Sequence, residues 1–352
     1  MANPFQLSVV IPNLNRASSL VRAVLSVRDD SPDAEIIVVD DCSDADLSAE
    51  YACLQDIGVR VFRQEVRRRG GAARNRGVRH ASGTHVSFLD SDDVWMPGRH
   101  DRIRRFYGVP GTERTVLVSG ALLHVNGEIR KPHQPLWRPG SALVDYVYRD
   151  MGRVQTSMMT LPIEIARACP WDETLRVNQD TDLAMRLDRL GIGFHIDSEP
   201  GIIKEESICP GRLTTGTETA DLSHAWYRRE SADWSPAARS GYHLQDRVWR
   251  LADSGRRREA FAALARSLCP PVSLRETLRR ALCMTVRPQL YERLRESYRA
   301  RVQVPRAVDA VQKAAGETWR VLDARAHSFC AVAQSGFGQR GQEPASAAVE
   351  AA

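Results

Sequence analysis

Two groups of acidic residues have the types and the spacing to bind a cation. Asp90, Asp92 and Asp93 follow one apolar run, and Asp40 and Asp41 follow another. Carboxylates this close together repel one another, so a bound cation or nearby arginines must offset their charge. Carboxylate oxygens suit hard divalent cations such as Mg²⁺ and Mn²⁺. The sequence therefore predicts a divalent metal site that involves these acids.

The acids are placed by apolar segments that alternate with amphipathic ones. The predicted strands are Leu7–Ile11, Glu35–Val39, Val59–Phe62 and Thr84–Leu89. The predicted helices between them are Ser18–Val27, Asp46–Gln55 and Ala72–His80. Strands separated by helices of this length indicate βαβ crossovers and a largely parallel sheet. Ligands bind at the carboxyl ends of such strands, so both acid groups should lie at one edge of the sheet.

The middle of the chain predicts more β-structure and one clear helix. Val116–Ser119 and Ala121–Val125 precede an Asn-Gly pair, which favours a tight turn. Gln155–Leu161 predicts a further strand, and Asp180–Leu190 has the spacing of an amphipathic helix. The expected fold class is α/β, with a mixed, mostly parallel sheet flanked by helices and followed by a C-terminal α-helical region.

Charge is spread unevenly along the chain. Of the 352 residues, 43% are hydrophobic and 26% are charged, which is typical of a soluble globular protein. Residues 1–240 contain 30 basic and 33 acidic residues, whereas residues 241–340 contain 19 and 9, a net charge of +10. We expect an α/β domain over residues 1–215, a basic α-helical region over 216–335 and a disordered tail over 336–352.

The basic helices leave three interpretations open. They can cover the α/β domain, bind an anionic membrane surface or contact a protein partner. No nucleic-acid-binding motif accompanies the charge, so we do not expect a nucleic-acid partner. The seven cysteines contain no CxxC pair, and the N-terminus is typical of a first strand rather than a signal peptide. We expect a cytoplasmic protein, and the second interpretation adds peripheral attachment to the inner face of the cell membrane.

Two common nucleotide-binding α/β classes are excluded by the residues after the first strand. Pro12–Arg16 contains no glycine, so the G-x-G-x-x-G turn of dinucleotide-binding folds is absent. The GxxxxGK[ST] loop of P-loop proteins is absent as well. The acids must therefore serve another kind of α/β site.

Four segments carry a resemblance to a known family. Between Leu7 and Leu190 they read, in order, LSVVIPNLNRASSLVRAVLSV, EIIVVDDCSD, RGGAARNRGVRHASGTHVSFLDSDD and VNQDTDLAMRL. The sequence resembles the family-2 glycosyltransferases, which have the GT-A fold. The resemblance implies an inverting enzyme that moves a sugar from a nucleoside-diphosphate sugar, with a UDP-sugar as the first choice. It also implies a hydroxyl acceptor, such as a glycan or a lipid-linked molecule, in the synthesis of a bacterial surface polysaccharide or glycan.

The resemblance assigns roles to particular positions. Asp41 matches the carboxylate that binds the nucleotide base. Asp92, together with Asp90, matches the D-x-D motif that holds Mn²⁺ or Mg²⁺ on the diphosphate, and Asp180 matches the general base. The positions implied to bind the nucleotide sugar are Pro12, Asn13, Asn15, Arg16, Asp40, Asp41, Arg69, Arg74, Asn75, Asp90 and Ser91.

The sequence also departs from the family pattern. Leu14 stands where the family usually has an aromatic residue, and Gln179 replaces the usual Glu before Asp180. No Q-x-x-R-W segment follows Asp180, which favours a non-processive enzyme. The first two departures leave open a nucleotide-sugar-binding or scaffold protein that has lost catalysis. A nucleotidyltransferase is a further alternative, but that class needs a Gly- and Lys-rich loop after the first strand.

Overall fold

A single mixed β-sheet lies at the centre of the structure, a computed structural model that describes residues 5–207, 218–268, 274–285 and 310–337. Its strands are β1 (Leu7–Asn13), β2 (Glu35–Asp40), β3 (Arg60–Arg63), β4 (His85–Phe88), β5 (Val94–Trp95), β6 (Thr115–Val125), β7 (Glu128–Arg130), β8 (Met159–Pro162) and β9 (Gly193–Glu205). The order across the sheet is β3-β2-β1-β4-β8-β6-β9-β5, and β7 pairs with β6. The sheet is mixed because β8 runs antiparallel to both of its neighbours, β4 and β6.

Helices accompany the sheet and continue into the C-terminal region. They are α1 (Ser18–Asp30), α2 (Ser48–Asp56), α3 (Arg69–His80), α4 (Arg99–Tyr107), α5 (Ile163–Ala168), α6 (Gln179–Arg189), α7 (Thr219–Glu230), α8 (Pro236–Tyr242), α9 (Val248–Asp253), α10 (Arg257–Arg266), α11 (Leu274–Thr285) and α12 (Ala310–Phe337). No helix within the described ranges is both long and apolar enough to cross a membrane. The α/β fold class and the C-terminal helical region are confirmed.

The parallel part of the sheet brings three loops to one edge. β1 pairs in parallel with β2 on one side and with β4 on the other. The continuous apolar run of β1 suits a strand buried on both faces, and Leu7–Ile11 is buried throughout. Asn13 at the end of β1 is in register with Asp40 at the end of β2. The segments that follow β1, β2 and β4 therefore lie side by side, as the strand pattern predicts.

The middle of the chain differs from the prediction at one strand. The first half of the predicted strand Gln155–Leu161 is wrong, because Thr156–Met158 form a 3₁₀ turn and β8 begins only at Met159. The Ser157 hydroxyl in this turn accepts a hydrogen bond from the Asp90 amide. The turn thus binds the backbone of the acidic loop instead of extending the sheet.

The two predicted strands before the Asn-Gly pair form one strand, β6. A tight turn joins β6 to β7, as predicted. The pairing of β6 with β9 shifts register on either side of Gly120. A Cβ atom at Gly120 would lie only 2.7 Å from the backbone oxygen of Glu199, so the close approach of the two strands requires glycine.

The last helix, α12, packs against the α/β layer. The helix contacts α1 and α2, and its buried face joins the same hydrophobic core as β1 and α1. The core residues that α12 supplies are Ala315, Trp319, Leu322, Ala326, Phe329, Cys330 and Ala333. The predicted division between residues 215 and 216 stays a prediction. Apart from its first two positions, which end α12, the predicted tail lies outside the described residues.

Candidate active site

The loop after β4 holds Asp90 between two cations. The Arg74 guanidinium lies 2.6 Å from the Asp90 carboxylate, and the Lys204 ammonium lies 3.9 Å from it. Arg74 is itself buried and stacks over the Trp171 ring at 4.7 Å. Burial disfavours the charge of Asp90, but Arg74 and Lys204 outweigh it and lower the pKa of this carboxyl group. Asp90 is therefore an ionised carboxylate in a fixed position.

Asp93 is the most deeply buried acid of the loop. Its carboxylate accepts hydrogen bonds from the Ser157 hydroxyl at 2.6 Å and from the Glu205 amide at 3.0 Å. Lys204 lies 3.5 Å away. Burial raises the pKa of Asp93 to about 7, an effect that Lys204 opposes. Asp93 thus ties the acidic loop to β9, and no side of it faces the solvent.

Asp92 is the acid of this loop with the most exposed cationic partner. Its carboxylate pairs with Arg16 at 3.1 Å, and the Arg16 side chain is 40% exposed. Arg16 also reaches the hydroxyl of the buried Ser91, at 3.4 Å. The Asp92 carbonyl accepts a hydrogen bond of 3.0 Å from Arg22 of α1. The backbone of Asp92 is therefore anchored, while its carboxylate forms an ion pair with a cation that can move into the solvent.

The donor set at this edge fits a metal that shares its ligands with a substrate. Within the described ranges, no group of three or more His, Cys, Asp or Glu side chains could hold a metal ion. Mg²⁺ is usually bound through one or two carboxylates plus substrate phosphates, so three protein ligands are not required. Asp92 and Asp90 both keep partly exposed carboxylates, with 20% and 24% of the side chain accessible. These two oxygen donors suit Mn²⁺ or Mg²⁺.

Asp180 lies in the first turn of α6 with few partners. Its carboxylate accepts one hydrogen bond, from the Thr181 amide at 2.9 Å. Burial raises the pKa of Asp180 above its usual value, and the charge of Asp90 adds to this effect. Arg74 and Lys204 act in the opposite direction. Arg74, which holds Asp90, also donates a hydrogen bond of 3.1 Å to Gln179, the neighbour of Asp180. The structure thus brings the start of α6 to the acidic edge of the sheet.

Asp182, two residues further along α6, is engaged on all sides. Its buried carboxylate accepts hydrogen bonds from Arg186 at 2.8 Å, Trp226 at 3.0 Å and Arg229 at 3.3 Å. These contacts join α6 to α7. Of the two acids in this turn, only Asp180 has a carboxylate that is not already committed to a structural network.

Asp41 closes the start of α3. Its carboxylate accepts hydrogen bonds of 2.7 Å from the backbone amides of Arg68 and Arg69 and from the Gln64 side chain. The first amides of a helix lack partners within the helix, and a carboxylate there also meets the positive end of the helix dipole. The position of Asp41 thus fixes the segment that carries Arg69.

The loops after β1 and β2 are held together by polar contacts. The Asp40 carboxylate is fully buried, accepts hydrogen bonds from the Ser43 amide and hydroxyl, and pairs with Arg63. The Asn15 side-chain oxygen accepts hydrogen bonds from the amides of Asp44 and Ala45. Asp40 and Asn15 therefore shape the loops from within.

Asn13 differs from its neighbours because one of its polar atoms is unused. Its amide nitrogen donates to the Tyr51 hydroxyl at 3.0 Å. Its oxygen is buried and has no hydrogen-bond partner among the described residues. Pro12, just before it on β1, is half-buried. A buried acceptor without a partner is costly, so the Asn13 oxygen is suited to a ligand donor at this edge.

Asn75 and Gln179 support the site instead of lining it. The Asn75 side chain hydrogen-bonds both the amide and the carbonyl of Trp171 at 2.9 Å, and also contacts Glu173. Gln179 accepts a hydrogen bond of 3.1 Å from Arg74. Because Gln179 is neutral, Asp90 is the only carboxylate within ion-pair distance of Arg74 among the described residues.

A polar cleft opens beside the start of α3. It is lined by Arg67, Arg68, Arg69 and Glu173. Arg67 pairs with Asp44 and Arg68 pairs with Glu173. The exposed Arg69 side chain makes no hydrogen bond or ion pair within the described ranges, and its backbone has a φ of 70°. The Arg69 guanidinium is thus uncommitted in the part of the chain that the structure describes, while its backbone amide is held by Asp41.

Sequence reasoning missed Lys204 and Ser157. Lys204 lies in an apolar segment whose strand character was not recognised, and β9 carries it to the acids from 111 residues further along the chain. Ser157 lies in the segment predicted as strand. The signal for such partners was the excess of carboxylates after β4. These acids need cations and hydrogen-bond donors, and the neighbouring sequence does not contain enough of them.

Known proteins resemble this chain in sequence and in fold. The model of the family described as Glycosyl transferase family 2 matches residues 8–162. The amylovoran biosynthesis glycosyltransferase AmsB of Erwinia amylovora is 31% identical over 204 residues, which cover 55% of this chain and 67% of that protein.

Two solved structures share the fold at low identity. TarS of S. aureus, solved with UDP-GlcNAc, has a TM-score of 0.55 and 14% identity over 78% of this chain and 92% of that one. GalNAc-T7, solved with UDP, GalNAc and Mn²⁺, has a TM-score of 0.51 and 17% identity over 69% and 51%. These likenesses confirm the GT-A fold. The chain belongs to glycosyl transferase family 2 and is a glycosyltransferase.

Proposed function

We propose that this glycosyltransferase inverts the anomeric centre of a sugar as it moves it from a nucleoside-diphosphate sugar to a hydroxyl acceptor. The observation that carries the proposal is the meeting of two acidic elements at one sheet edge. Arg74 pairs with Asp90 of the D-x-D loop and donates a hydrogen bond to Gln179, the residue before Asp180 at the start of α6. A donor held at the loop would thus have a base beside it.

The donor side of the proposed site uses Asp92 and Asp90. A divalent cation, Mn²⁺ or Mg²⁺, held by these carboxylates would neutralise the charge that builds on a leaving nucleoside diphosphate. The Arg16 side chain is 40% exposed, and the exposed Arg69 side chain has no partner among the described residues, so both are suited to bind phosphate oxygens. UDP is our first choice of nucleotide, supported by the ligands of the structures that share the fold.

The nucleotide itself would lie against the ends of β1 and β2. The unpartnered oxygen of Asn13 offers an acceptor there, and the buried Asp41 carboxylate holds the backbone of Arg68 and Arg69, which line the arginine cleft. Asp40, Asn15 and Asn75 have their polar groups bonded within the protein. We propose that these three, with Pro12 and Ser91, shape the nucleotide pocket, while Asn13, Arg16 and Arg69 contact the ligand. The carboxylate of Asp41 also holds the start of α3, and we propose its contact with the base only from the match of Asp41 to the family motif.

Asp180 is the proposed general base. A base that takes the acceptor proton on the side of the sugar opposite the leaving group gives inversion at the anomeric carbon. Its raised pKa makes the ionised carboxylate a better proton acceptor than an ordinary aspartate. The alternative residue in this turn, Asp182, is held by three donors. The geometry therefore favours Asp180.

The test is a panel of nucleotide sugars offered to the purified protein with Mn²⁺ or Mg²⁺. Release of the nucleoside diphosphate from one donor, and its loss in excess chelator, would support the proposal. The Asp180→Asn variant serves as the matched control. A protein that binds a nucleotide sugar but turns over none of them would instead be the non-catalytic binding protein.

The wider role is proposed from the relatives. AmsB is named for the biosynthesis of amylovoran, and we infer that this chain adds single sugars to a bacterial surface polysaccharide or glycan. The acceptor would be a glycan or a lipid-linked molecule in the cytoplasm. Analysis of the products from a defined acceptor tests this, because a non-processive enzyme adds one residue and stops.

The basic helices α10 and α11 support a position at the membrane. Phe261 on α10 and Leu274 and Leu278 on α11 are exposed, as is Leu268, which follows α10. The neighbouring arginines that have no ion-pair partner among the described residues are Arg257, Arg258, Arg266 and Arg275. Apolar and cationic side chains together suit an anionic bilayer surface.

Co-sedimentation with vesicles tests the membrane position. Binding to vesicles that contain phosphatidylglycerol should exceed binding to pure phosphatidylcholine. It should weaken with salt, because screening shortens the Debye length to about 8 Å near 0.15 M. Exchanging Arg257 and Arg258 for Glu should abolish the difference, and equal binding to both vesicles would exclude this role.

A further inference from the structure

One tryptophan of the last helix lies between two side chains that lead to the acidic loop. Trp319 of α12 is 6% exposed. The Arg22 guanidinium carbon lies 3.9 Å from its ring centroid. The His124 ring stacks on it as well, with centroids 4.1 Å apart and planes 13° from parallel. Trp319 therefore fixes one residue of α1 and one residue of β6 at the same time.

The first chain of contacts runs through Arg22. One nitrogen of its buried guanidinium donates to the backbone carbonyl of Asp92 at 3.0 Å. Another pairs with Asp323, one helical turn beyond Trp319, at 2.5 Å. A guanidinium with one face on an aromatic ring and both ends bonded has little freedom to turn. Arg22 thus couples α12 to the backbone of the proposed metal ligand.

The second chain of contacts runs through His124. Its Nδ1 atom hydrogen-bonds the Glu205 carboxylate at 2.9 Å. The Glu205 amide in turn donates to the Asp93 carboxylate at 3.0 Å. Both chains therefore begin at one indole ring and end on consecutive residues of the loop, Asp92 and Asp93.

We propose that Trp319 is a positioning residue that sets the conformation of the Asp90–Asp93 loop for the metal–diphosphate complex. The identity of the ligand in this inference rests on the proposed function, but the contacts of Trp319 do not depend on that function. Removing the indole ring takes away the ring contact of Arg22 and of His124 at once, so two of the contacts that anchor the loop loosen together, while those from Arg74, Ser157 and Lys204 remain. Displacement of a ligating group by about 1 Å can cost about a hundredfold in rate.

Three variants of α12 separate positioning from simple helix docking. Trp319→Ala removes the shared contact, and Trp319→Phe keeps an aromatic face. Phe329→Ala is the matched control, since Phe329 is 2% exposed in the same core and lies ten residues, or about 15 Å, further along the helix. No described contact links Phe329 to the acidic loop.

The first measurement is hydrogen–deuterium exchange of the peptide that contains residues 90–93, with the unfolding midpoint of each variant as reference. This measurement needs no substrate. In Trp319→Ala the peptide should exchange at least about tenfold faster than in the wild type, and in Trp319→Phe close to the wild-type rate. In Phe329→Ala the peptide should exchange at the wild-type rate, even if the unfolding midpoint falls as far as it does in Trp319→Ala. Unchanged exchange in Trp319→Ala, or equal acceleration in both alanine variants, would overturn the proposal.

The second measurement is the affinity for nucleoside diphosphates (UDP, GDP, CDP and dTDP) in the presence of Mn²⁺, by calorimetry. Trp319→Ala should bind the preferred nucleotide about tenfold or more weakly, and Phe329→Ala should bind it as the wild type does. Wild-type affinity in Trp319→Ala would refute the positioning role. If the wild type binds none of the four, the proposed function fails, while the exchange measurement still decides the role of Trp319.

Discussion

The Asp180→Asn substitution tests the proposed mechanism most directly. Asparagine has the same shape, and its amide oxygen can keep the hydrogen bond from the Thr181 amide. The variant therefore loses the negative charge and the ability to accept a proton, while the start of α6 is preserved. Donor and metal affinity should stay close to the wild-type values, because Asp90 and Asp92 are untouched.

The expected loss is the contribution of a positioned general base. This is roughly 10²- to 10⁴-fold in the rate of sugar transfer. At 1.36 kcal/mol per factor of ten, the activation barrier should rise by about 2.7–5.4 kcal/mol. A loss below tenfold would mean that another group takes the proton.

Asp182→Asn is the matched control, and stability is the readout that separates the two acids. Asp182 is buried and accepts bonds from Arg186, Arg229 and Trp226. An amide in its place leaves at least one buried donor unsatisfied, which should lower the free energy of unfolding by about 1–3 kcal/mol. Transfer by the folded fraction should stay near the wild-type rate.

Asp180→Asn should change stability in the opposite direction. Burial raises the pKa of Asp180 in the folded state, so the native protein binds this proton more tightly than the unfolded chain does. The stability that this group contributes is present at acidic pH and is lost as the pH rises through the folded pKa. At neutral pH the ionised Asp180 is therefore a cost, and its replacement by Asn should raise the unfolding midpoint.

The assay combines donor calorimetry, product formation and urea denaturation at pH 7 for both variants. The reasoning is refuted if Asp182→Asn is the inactive enzyme and Asp180→Asn is not, since the base would then lie two residues further along α6. It is also refuted if both variants remain fully active.

Three further substitutions test the acidic edge. Asp92→Asn should abolish metal-dependent transfer and leave the fold intact, and undiminished turnover across a Mn²⁺ titration would contradict the assignment. Lys204→Met should cost up to about 3–5 kcal/mol in urea denaturation, because it removes one partner of a buried ion pair, and should raise the pKa of Asp93 further. Asp41→Asn should cost about 1–3 kcal/mol by leaving one amide at the start of α3 unsatisfied, and an unchanged unfolding midpoint would show that water replaces it.

The parallel half of the fold could be predicted from the sequence because its local signals agree. The apolar run of β1 and the helical spacing of α1 leave one arrangement, and the register of Asn13 with Asp40 follows from parallel pairing. The acidic loop could be placed at the sheet edge for the same reason. Residues that directly follow parallel strands share an edge whatever the rest of the chain does.

The partners of those acids could not be predicted, because each comes from a distant segment. Lys204 lies on a strand that pairs in parallel with β6, and its sequence does not alternate clearly. Trp319 belongs to a helix whose surroundings include α1 and β6, which no local pattern reveals. The bonds of Asp41 to the start of α3 illustrate the same limit, because they depend on how β2 and α3 are placed relative to each other.

The ion pairs of the acidic loop differ in how exposed their cations are, which indicates the pair that would separate when the proposed substrate binds. Arg74 is buried, stacked on Trp171 and bonded to Asp90, and Lys204 is shared by Asp90 and Asp93. Among the ion pairs of the loop after β4, the pair between Arg16 and Asp92 has the most exposed cation, at 40%, so it gains least from its surroundings. In the proposed complex, a metal ion on the Asp92 carboxylate would displace Arg16, and the diphosphate would supply new negative charge for the released guanidinium. The ion pair of this loop that costs least to break is therefore the one whose two members would both gain a partner from the proposed metal–diphosphate complex.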